Sequence, residues 1–140
     1  MNRSQRRTVL DELTGYAAFA DCSPAALAAL AKASDHFVLR SNWSLMQQGI
    51  AADALYVVRE GEAHVYQGRT RIATLYPGDV FGETALFGTG QRTATVTSPG
   101  HLVALRIGYR KLARLVRRYP EIGQAIEAVH HSRTGEPVGV

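Results

Sequence analysis

A mainly β domain flanked by helices at both ends is the fold class this chain predicts, and three patterns predict it. Between residues 36 and 107 the apolar residues come in short stretches cut by Gly, Asp, Asn and Pro, the texture of a sandwich or barrel. Before this region apolar residues recur three and four apart, and from Tyr109 onward they do so again, which is the period of a helix. The organisation that follows is an N-terminal helical segment over 1–35, a β-region over 36–107, C-terminal helices over 108–132 and a disordered tail over 133–140.

Each element has a local reason. Val9, Leu10, Leu13 and Ala17 form a helical stripe within 7–19, with Arg3, Arg6 and Arg7 expected in a frayed N-terminus. Ser23 before Pro24 pairs an N-cap with a proline at the first helical position, so a helix is expected over 24–33. Strands are expected at 36–40, 44–47, 54–59, 62–67, 70–75, 93–98 and 101–107, with Gly61 and Gly68 serving turns. The helical period then runs from Tyr109 through Tyr119, restarts at Pro120 and continues to about Ser132.

At 140 residues, with 46% apolar and 20% charged residues, the chain is sized for one soluble domain with a single core. No run approaches the roughly 18–20 apolar residues of a membrane span. No apolar signal-peptide segment follows the basic start. Cys22 is the single cysteine, so an intrachain disulfide is ruled out and a cytoplasmic location is the default expectation. Its thiol reads as a small buried group at a helix entrance rather than a reactive one. The net charge of +4 points only weakly to anionic partners. Arg110, Lys111, Arg114, Arg117 and Arg118 share a helix with Leu112, Leu115 and Val116, which reads as a solvated face. With no interleaved aromatics and no recognition helix, nucleic acid is not the expected partner.

The segment from Phe81-Gly82-Glu83 to Arg92-Thr93-Ala94-Thr95-Val96 carries the chemistry. It offers one carboxylate, one guanidinium, hydroxyls and free backbone N–H groups within a short, small-residue stretch, which suits a sugar phosphate. A guanidinium fork matches the two exocyclic oxygens of a phosphodiester and does not lose its proton. Backbone N–H groups at the start of a short helix add donors and a favourable dipole. Gly82 permits close backbone approach, and the Glu83 carboxylate can accept from a ribose hydroxyl. A few charge-assisted bonds of roughly 1.5–3 kcal/mol each, with base burial, reach about −8 kcal/mol, or micromolar affinity. A lone Glu or Arg in a loop is ordinarily a solvated surface charge. The joint spacing, with Ala85-Leu86 between, separates this segment from that case.

The same segment closely resembles the phosphate-binding cassette of the cyclic-nucleotide-binding domain family, and the resemblance covers most of the chain. Leu55-Tyr56-Val57-Val58 through Val65-Tyr66 is similar to the family's central hairpin, and Ile72-Ala73-Thr74-Leu75-Tyr76-Pro77-Gly78-Asp79 to the run that precedes its Phe-Gly-Glu. Ala18-Phe19, Cys22-Ser23-Pro24-Ala25-Ala26-Leu27 and Gln48-Gly49 resemble its entry, and residues 102–122 its last strand and hinge helix. The departures are Thr84 for an apolar residue, Gln91 for a proline, and Ser41-Asn42-Trp43 for a Pro-Gly turn. None removes a charge or donor the ligand needs.

The resemblance implies a double-stranded β-helix, or jelly-roll barrel, with N-terminal helices and C-terminal hinge and lid helices. It implies cAMP or cGMP as ligand, without a metal. Glu83 would hold the ribose 2′-OH, Arg92 the cyclic phosphate, and Thr93 the phosphate or a guanine amino group. Gly82, Thr84 and Ala85 would offer backbone groups, and Val65, Ile72 and Ala73 would line the base. Leu105, Tyr109, Leu112 and Leu115 would form the hinge's packing face, with Ile126, Val129 and His130 all candidates for the lid. Ligand would re-dock the C-terminal helices onto the barrel and so control an effector that the chain does not name. No winged helix-turn-helix fits after the last helix, so the expectation is a stand-alone module or one domain of a longer protein.

Other function classes fit less of the sequence. A metal enzyme of the cupin type needs clustered ligands, and His36, His64, His101, His130 and His131 lack such spacing. Adjacent His130 and His131 would point about 100° apart on a helix, and no nucleophile signature is present. A truncated DNA-binding regulator would rest on charge alone. A ligand-free interaction or oligomerisation module would keep the same fold with an empty pocket. Ile122, Ile126 and Val129, three and four apart, give the last helix an exposed apolar face that could dock on the barrel or pair with a second copy.

Overall fold

The computed structural model describes residues 1–40, 44–46, 53–83 and 94–134. Ser41, Asn42, Trp43, Gln48, Gly49 and residues 135–140 lie outside the described residues, while Arg133 and Thr134, expected in a disordered tail over 133–140, belong to the last helix.

Helix α1 spans Arg3–Gly15. Its start is not frayed, in contrast to the sequence expectation. Asn2 Oδ1 accepts from the Gln5 N–H at 2.8 Å, and Gln5 Oε1 accepts from the Asn2 N–H at 2.9 Å. This capping box satisfies two backbone donors at once and fixes the first turn. Val9 and Leu13 are fully buried. The helical stripe expected over 7–19 is two pieces, because α1 stops at Gly15 and a 3₁₀ turn, Ala17–Phe19, carries Phe19 into the core. Helix α2 spans Pro24–Ala33 as its cap and proline predict, with Ser23 Oγ accepting from the Ala26 N–H at 3.1 Å.

The described strands are β1 (Asp35–Leu39), β2 (Ser44–Met46), β3 (Ala54–Glu60), β4 (Ala63–Gln67), β5 (Thr70–Leu75), β6 (Val80–Phe81), β7 (Thr95–Thr97) and β8 (Leu102–Gly108). They form two antiparallel four-stranded sheets, ordered β1-β8-β3-β6 and β2-β7-β4-β5. Strand β5 has the expected bounds, and most others differ by a residue or two at their ends. Strand β6 was not expected, since two residues are too few to show a period.

Strand β3 shows how the layers stack. Every residue from Ala54 to Val58 is buried. Ala54, Tyr56 and Val58 face the core shared with the second sheet, alongside Val65, Phe81, Ala94 and Val96. Leu55 and Val57 face a second core built with the helices, alongside Leu13, Phe19, Leu30, Leu105 and Leu112. A strand covered on both faces loses the apolar–polar alternation of a half-exposed one.

Helices α3 (Tyr109–Arg118) and α4 (Pro120–Thr134) follow β8 directly. On α3 Leu112 is buried and the five cations are exposed or nearly so, as a solvated face requires. On α4 the expected exposed apolar face is covered by the chain itself. Ile122 and Ile126 are buried in the helical core, with Val129 packed against it. Ser23 N–H donates to Glu121 Oε2 at 3.3 Å, tying the start of α2 to the start of α4. Hydrogen bonding from the Ser23 side chain first, and then from the Glu121 and Ser23 backbone N–H groups, holds the Glu121 carboxyl below its ordinary value. Half-buried Cys22 donates its thiol to the Glu121 carbonyl at 3.7 Å, and burial raises its pKa, which fits an inert thiol.

The β3–β4 turn depends on Gly61, whose φ is 81°. A Cβ there would collide with the His101 carbonyl oxygen as well as straining the backbone. Gly61→Ala is expected to cost about 2 kcal/mol or more of stability, measured by urea denaturation. An unchanged midpoint would contradict the assigned turn.

Candidate functional site

The site grows from the edge of the first sheet. Tyr76 to Asp79 form a tight turn, with the Asp79 N–H donating to the Tyr76 carbonyl at 2.9 Å and the Tyr76 N–H to Asp79 Oδ2 at 2.8 Å. The Gly78 N–H donates to the Val58 carbonyl at 2.8 Å, and the Val58 N–H to the Asp79 carbonyl at 2.9 Å. This aims β6 along β3, pairing Phe81 with Tyr56 and Val80 with Val57. The Phe81 and Tyr56 rings stack with centroids 5.0 Å apart and an interplanar angle of 8°, and Phe37 meets Tyr56 edge-on at 5.9 Å.

Strand β6 then ends at Gly82, which has a φ of 91° and is buried. This left-handed turn delivers Glu83 into the interior, where its exposure is 0%. A buried carboxylate is costly unless donors surround it. The C-terminal helices contribute here. The Tyr109 hydroxyl, at the first residue of α3, donates to the Gly82 carbonyl at 2.6 Å. His130 Nδ1, near the end of α4, lies 3.4 Å from Glu83 Oε2. The turn that presents the carboxylate is therefore held by both helices that follow the barrel.

Of the residues singled out in the sequence, Gly82 and Glu83 form this turn. Val65 is fully buried on β4, opposite Ala73 on β5 and Val96 on β7. Ile72 and Ala73 pack partly buried against the same inter-sheet core as Phe81. Thr84, Ala85, Arg92 and Thr93 lie outside the described residues, as does Gln91. Their flanks, Glu83 and Ala94, are both fully buried. Sequence reasoning missed the Tyr109 hydroxyl contact, which spans 27 residues and leaves no local mark. It also left the lid residue open among Ile126, Val129 and His130; of these, Ile126 is core and His130 reaches the carboxylate. Among the described residues no group of three or more His, Cys, Asp or Glu could hold a metal ion.

Such a site can accept hydrogen bonds from a ligand hydroxyl through Glu83 beside an apolar barrel surface. Comparison with known proteins agrees with that chemistry. A family model described as "Cyclic nucleotide-binding domain" matches residues 37–119. A cGMP-dependent protein kinase of Toxoplasma gondii is 33% identical over 95 residues, covering 66% of this chain and 10% of the kinase. A CRP-like cAMP-activated global transcriptional regulator of Mycobacterium tuberculosis is 27% identical over 123 residues, covering 84% of this chain and 55% of the regulator. The chain thus spans a tenth to about half of these relatives' lengths. The solved regulatory domain of Toxoplasma gondii PKA with cAMP superposes with a TM-score of 0.82 at 20% identity, covering 94% of this chain and 51% of that one. That likeness bears on the fold, which is the double-stranded β-helix with flanking helices.

Tyr109→Phe removes the donor from a buried carbonyl while keeping the ring. The expected cost is about 1–2 kcal/mol, read from urea denaturation. A loss below about 0.3 kcal/mol would mean that the hydroxyl does not hold the turn.

Proposed function

The chain belongs to the cyclic nucleotide-binding domain family, and we propose that it binds cAMP or cGMP and reports occupancy through its two C-terminal helices. The observation that supports this most is the shared turn: the buried Glu83 carboxylate meets His130 of α4, and the adjoining Gly82 carbonyl meets Tyr109 of α3. A ligand that engages Glu83 acts directly on the contact that positions α4.

The roles follow from the chemistry of each group. Glu83 accepts from the ribose 2′-OH. Arg92 pairs its guanidinium with the cyclic phosphate, and Thr93 adds a hydroxyl to the phosphate or to a guanine amino group. Gly82, Thr84 and Ala85 supply backbone groups, and Val65, Ile72 and Ala73 form the apolar wall for the base. His130 is the lid contact, since it is the group of α4 that reaches the ribose-binding carboxylate. The domain's role is regulatory binding, and the element it controls lies in a partner or in another domain. The two curated relatives, a kinase and a transcriptional regulator, differ in that element while sharing this one. Among the described residues no helix is long and apolar enough to cross a membrane.

Calorimetric titration with cAMP and with cGMP tests the binding. The wild-type chain is expected to bind at least one of them with micromolar or tighter affinity, about −8 kcal/mol. Arg92→Ala is expected to weaken that binding roughly 10- to 100-fold, as loss of a charge-assisted pair predicts. A folded wild type that binds neither nucleotide would refute the reading.

Hydrogen exchange tests the switch separately. Saturating ligand is expected to change exchange by several-fold across 109–134 while strands β3 and β8 stay protected. Binding without any change in that segment would leave a nucleotide site but remove the proposed movement.

A further inference from the structure

A second feature lies on the helical layer, and it stands whether or not the site at Glu83 binds a nucleotide. Helices α1 and α2 enclose an open groove of about 360 Å³. Its walls carry four cations, Arg3, Arg6 and Arg7 from α1 and Lys32 from α2, over an apolar floor of Leu10, Ala28 and Ala31. Among the described residues no acid lines it. Helix α2 contains no Asp or Glu; of the two acids on α1, exposed Asp11 is not among the lining residues, and the Glu12 carboxylate is taken by Arg59, with Nε to Oε2 at 2.7 Å and Nη2 to Oε1 at 3.0 Å. Arg6 adds an independent observation. Its Nε is buried without a hydrogen-bond partner, and no other side-chain nitrogen or oxygen among the described residues is in that position. A buried N–H without an acceptor is costly, and such groups call for an explanation, a missing partner being one.

We propose that this groove docks an acidic segment of a partner protein, with carboxylates reaching Arg3, Arg6, Arg7 and Lys32 and small apolar side chains resting on Leu10, Ala28 and Ala31. The cations are strung along the groove rather than gathered at one point. Arg3 and Arg7 are one turn apart on α1, and Lys32 faces them from the last turn of α2. That spacing suits several carboxylates along an extended peptide better than one compact phosphate. Nucleic acid is disfavoured because the floor offers no aromatic ring for stacking and no hydroxyl or amide side chain for base edges. A lipid surface is disfavoured because the exposed large apolar side chains among the described residues, Met1, Val38 and Tyr76, do not line the groove. The platform is firm, since the capping box fixes the start of α1 and the Arg59–Glu12 pair anchors its far end to β3.

Fluorescence anisotropy with a labelled peptide of alternating Glu and Ala tests this. The same peptide with Gln for Glu, duplex DNA and phosphatidylserine vesicles serve as competing probes. The wild-type chain is expected to bind the Glu/Ala peptide, more weakly as salt rises, and to bind the Gln peptide at least tenfold less well. Arg6→Gln and, on the opposite wall, exposed Lys32→Gln are each expected to weaken binding several-fold to tenfold. Arg118→Gln, on α3 and outside the groove, is expected to leave it unchanged. Lys32→Gln keeps the test decisive should Arg6→Gln impair folding. No binding of the Glu/Ala peptide overturns the proposal. So does equal weakening by Arg118→Gln, which would indicate general charge attraction. Tighter binding of DNA or vesicles, lost in the same groove variants, would replace the acidic peptide with another anion and overturn it as well.

Discussion

Burying the Glu83 carboxylate is the constraint on which the arrangement around the site depends. A charge withdrawn from water loses several kcal/mol of hydration unless polar partners replace it. Glu83 reaches the interior because Gly82 adopts a backbone conformation that a side chain would oppose. The partners then come from far along the chain: His130 reaches the carboxylate itself, and Tyr109 stabilises the turn by satisfying the preceding carbonyl. A short edge strand, a left-handed glycine and two helices that follow the barrel are thereby bound into one unit. Disturbing any of them changes the environment of the carboxylate.

The first sheet carries that dependence through the molecule. Its strands β3 and β8 separate two cores, one shared with the second sheet and one shared with the helices. The inter-sheet core beside the site and the floor under the helices are thus built from alternate residues on opposite faces of the same strands. Interiors packed at crystal-like density resist continuous deformation, so displaced helices must settle into another packed arrangement. The helical layer has its own ties. Glu12 on α1 forms a two-bonded pair with Arg59 on β3, and Glu121 on α4 accepts from the Ser23 N–H at the start of α2. A shift of α4 would act on α2 through that contact, while α1 stays attached to the sheet.

What could be read from the sequence was local. Ser23 and Pro24 mark the start of α2 because a cap and a fixed φ act within one turn. Thr70 to Leu75 reads as a strand because it lies between a glycine turn and a Pro-Gly turn. The Phe-Gly-Glu turn was legible through the joint spacing of its residues, and Val65, Ile72 and Ala73 through their place in the hairpin. What escaped was non-local or too short. Strand β6 has two residues and exists because Val80 and Phe81 meet β3. The first helix turn was masked by its arginines, although Asn2 and Gln5 carry a capping pattern. The apolar face of the last helix was visible as a pattern, but a pattern does not say what covers it, and the chain itself covers Ile122 and Ile126. The contacts of Tyr109 and His130 join segments separated by 27 and 47 residues, which no periodicity reports.

The contact between Glu83 and His130 also bears on how a bound nucleotide would gain its leverage. His130 lies at Oε2 only, and a carboxylate has acceptor sites on both oxygens, so a ribose hydroxyl at Glu83 would act on α4 by sharing that carboxylate with His130. A ligand with equal affinity for two arrangements of α4 shifts neither, however tightly it binds. On the proposed reading, a ligand held at Glu83 acts at a group that α4 touches, so a difference in affinity between two arrangements of α4 would arise there. The size of the response then depends on the balance between the two packings of α4. Moving it from 1:99 to 99:1 takes about 5.5 kcal/mol of differential binding. A single carboxylate contact of about 1.5–3 kcal/mol falls short of that, so a full switch would also need the phosphate pair at Arg92 or the base against Val65, Ile72 and Ala73 to favour the same arrangement of α4.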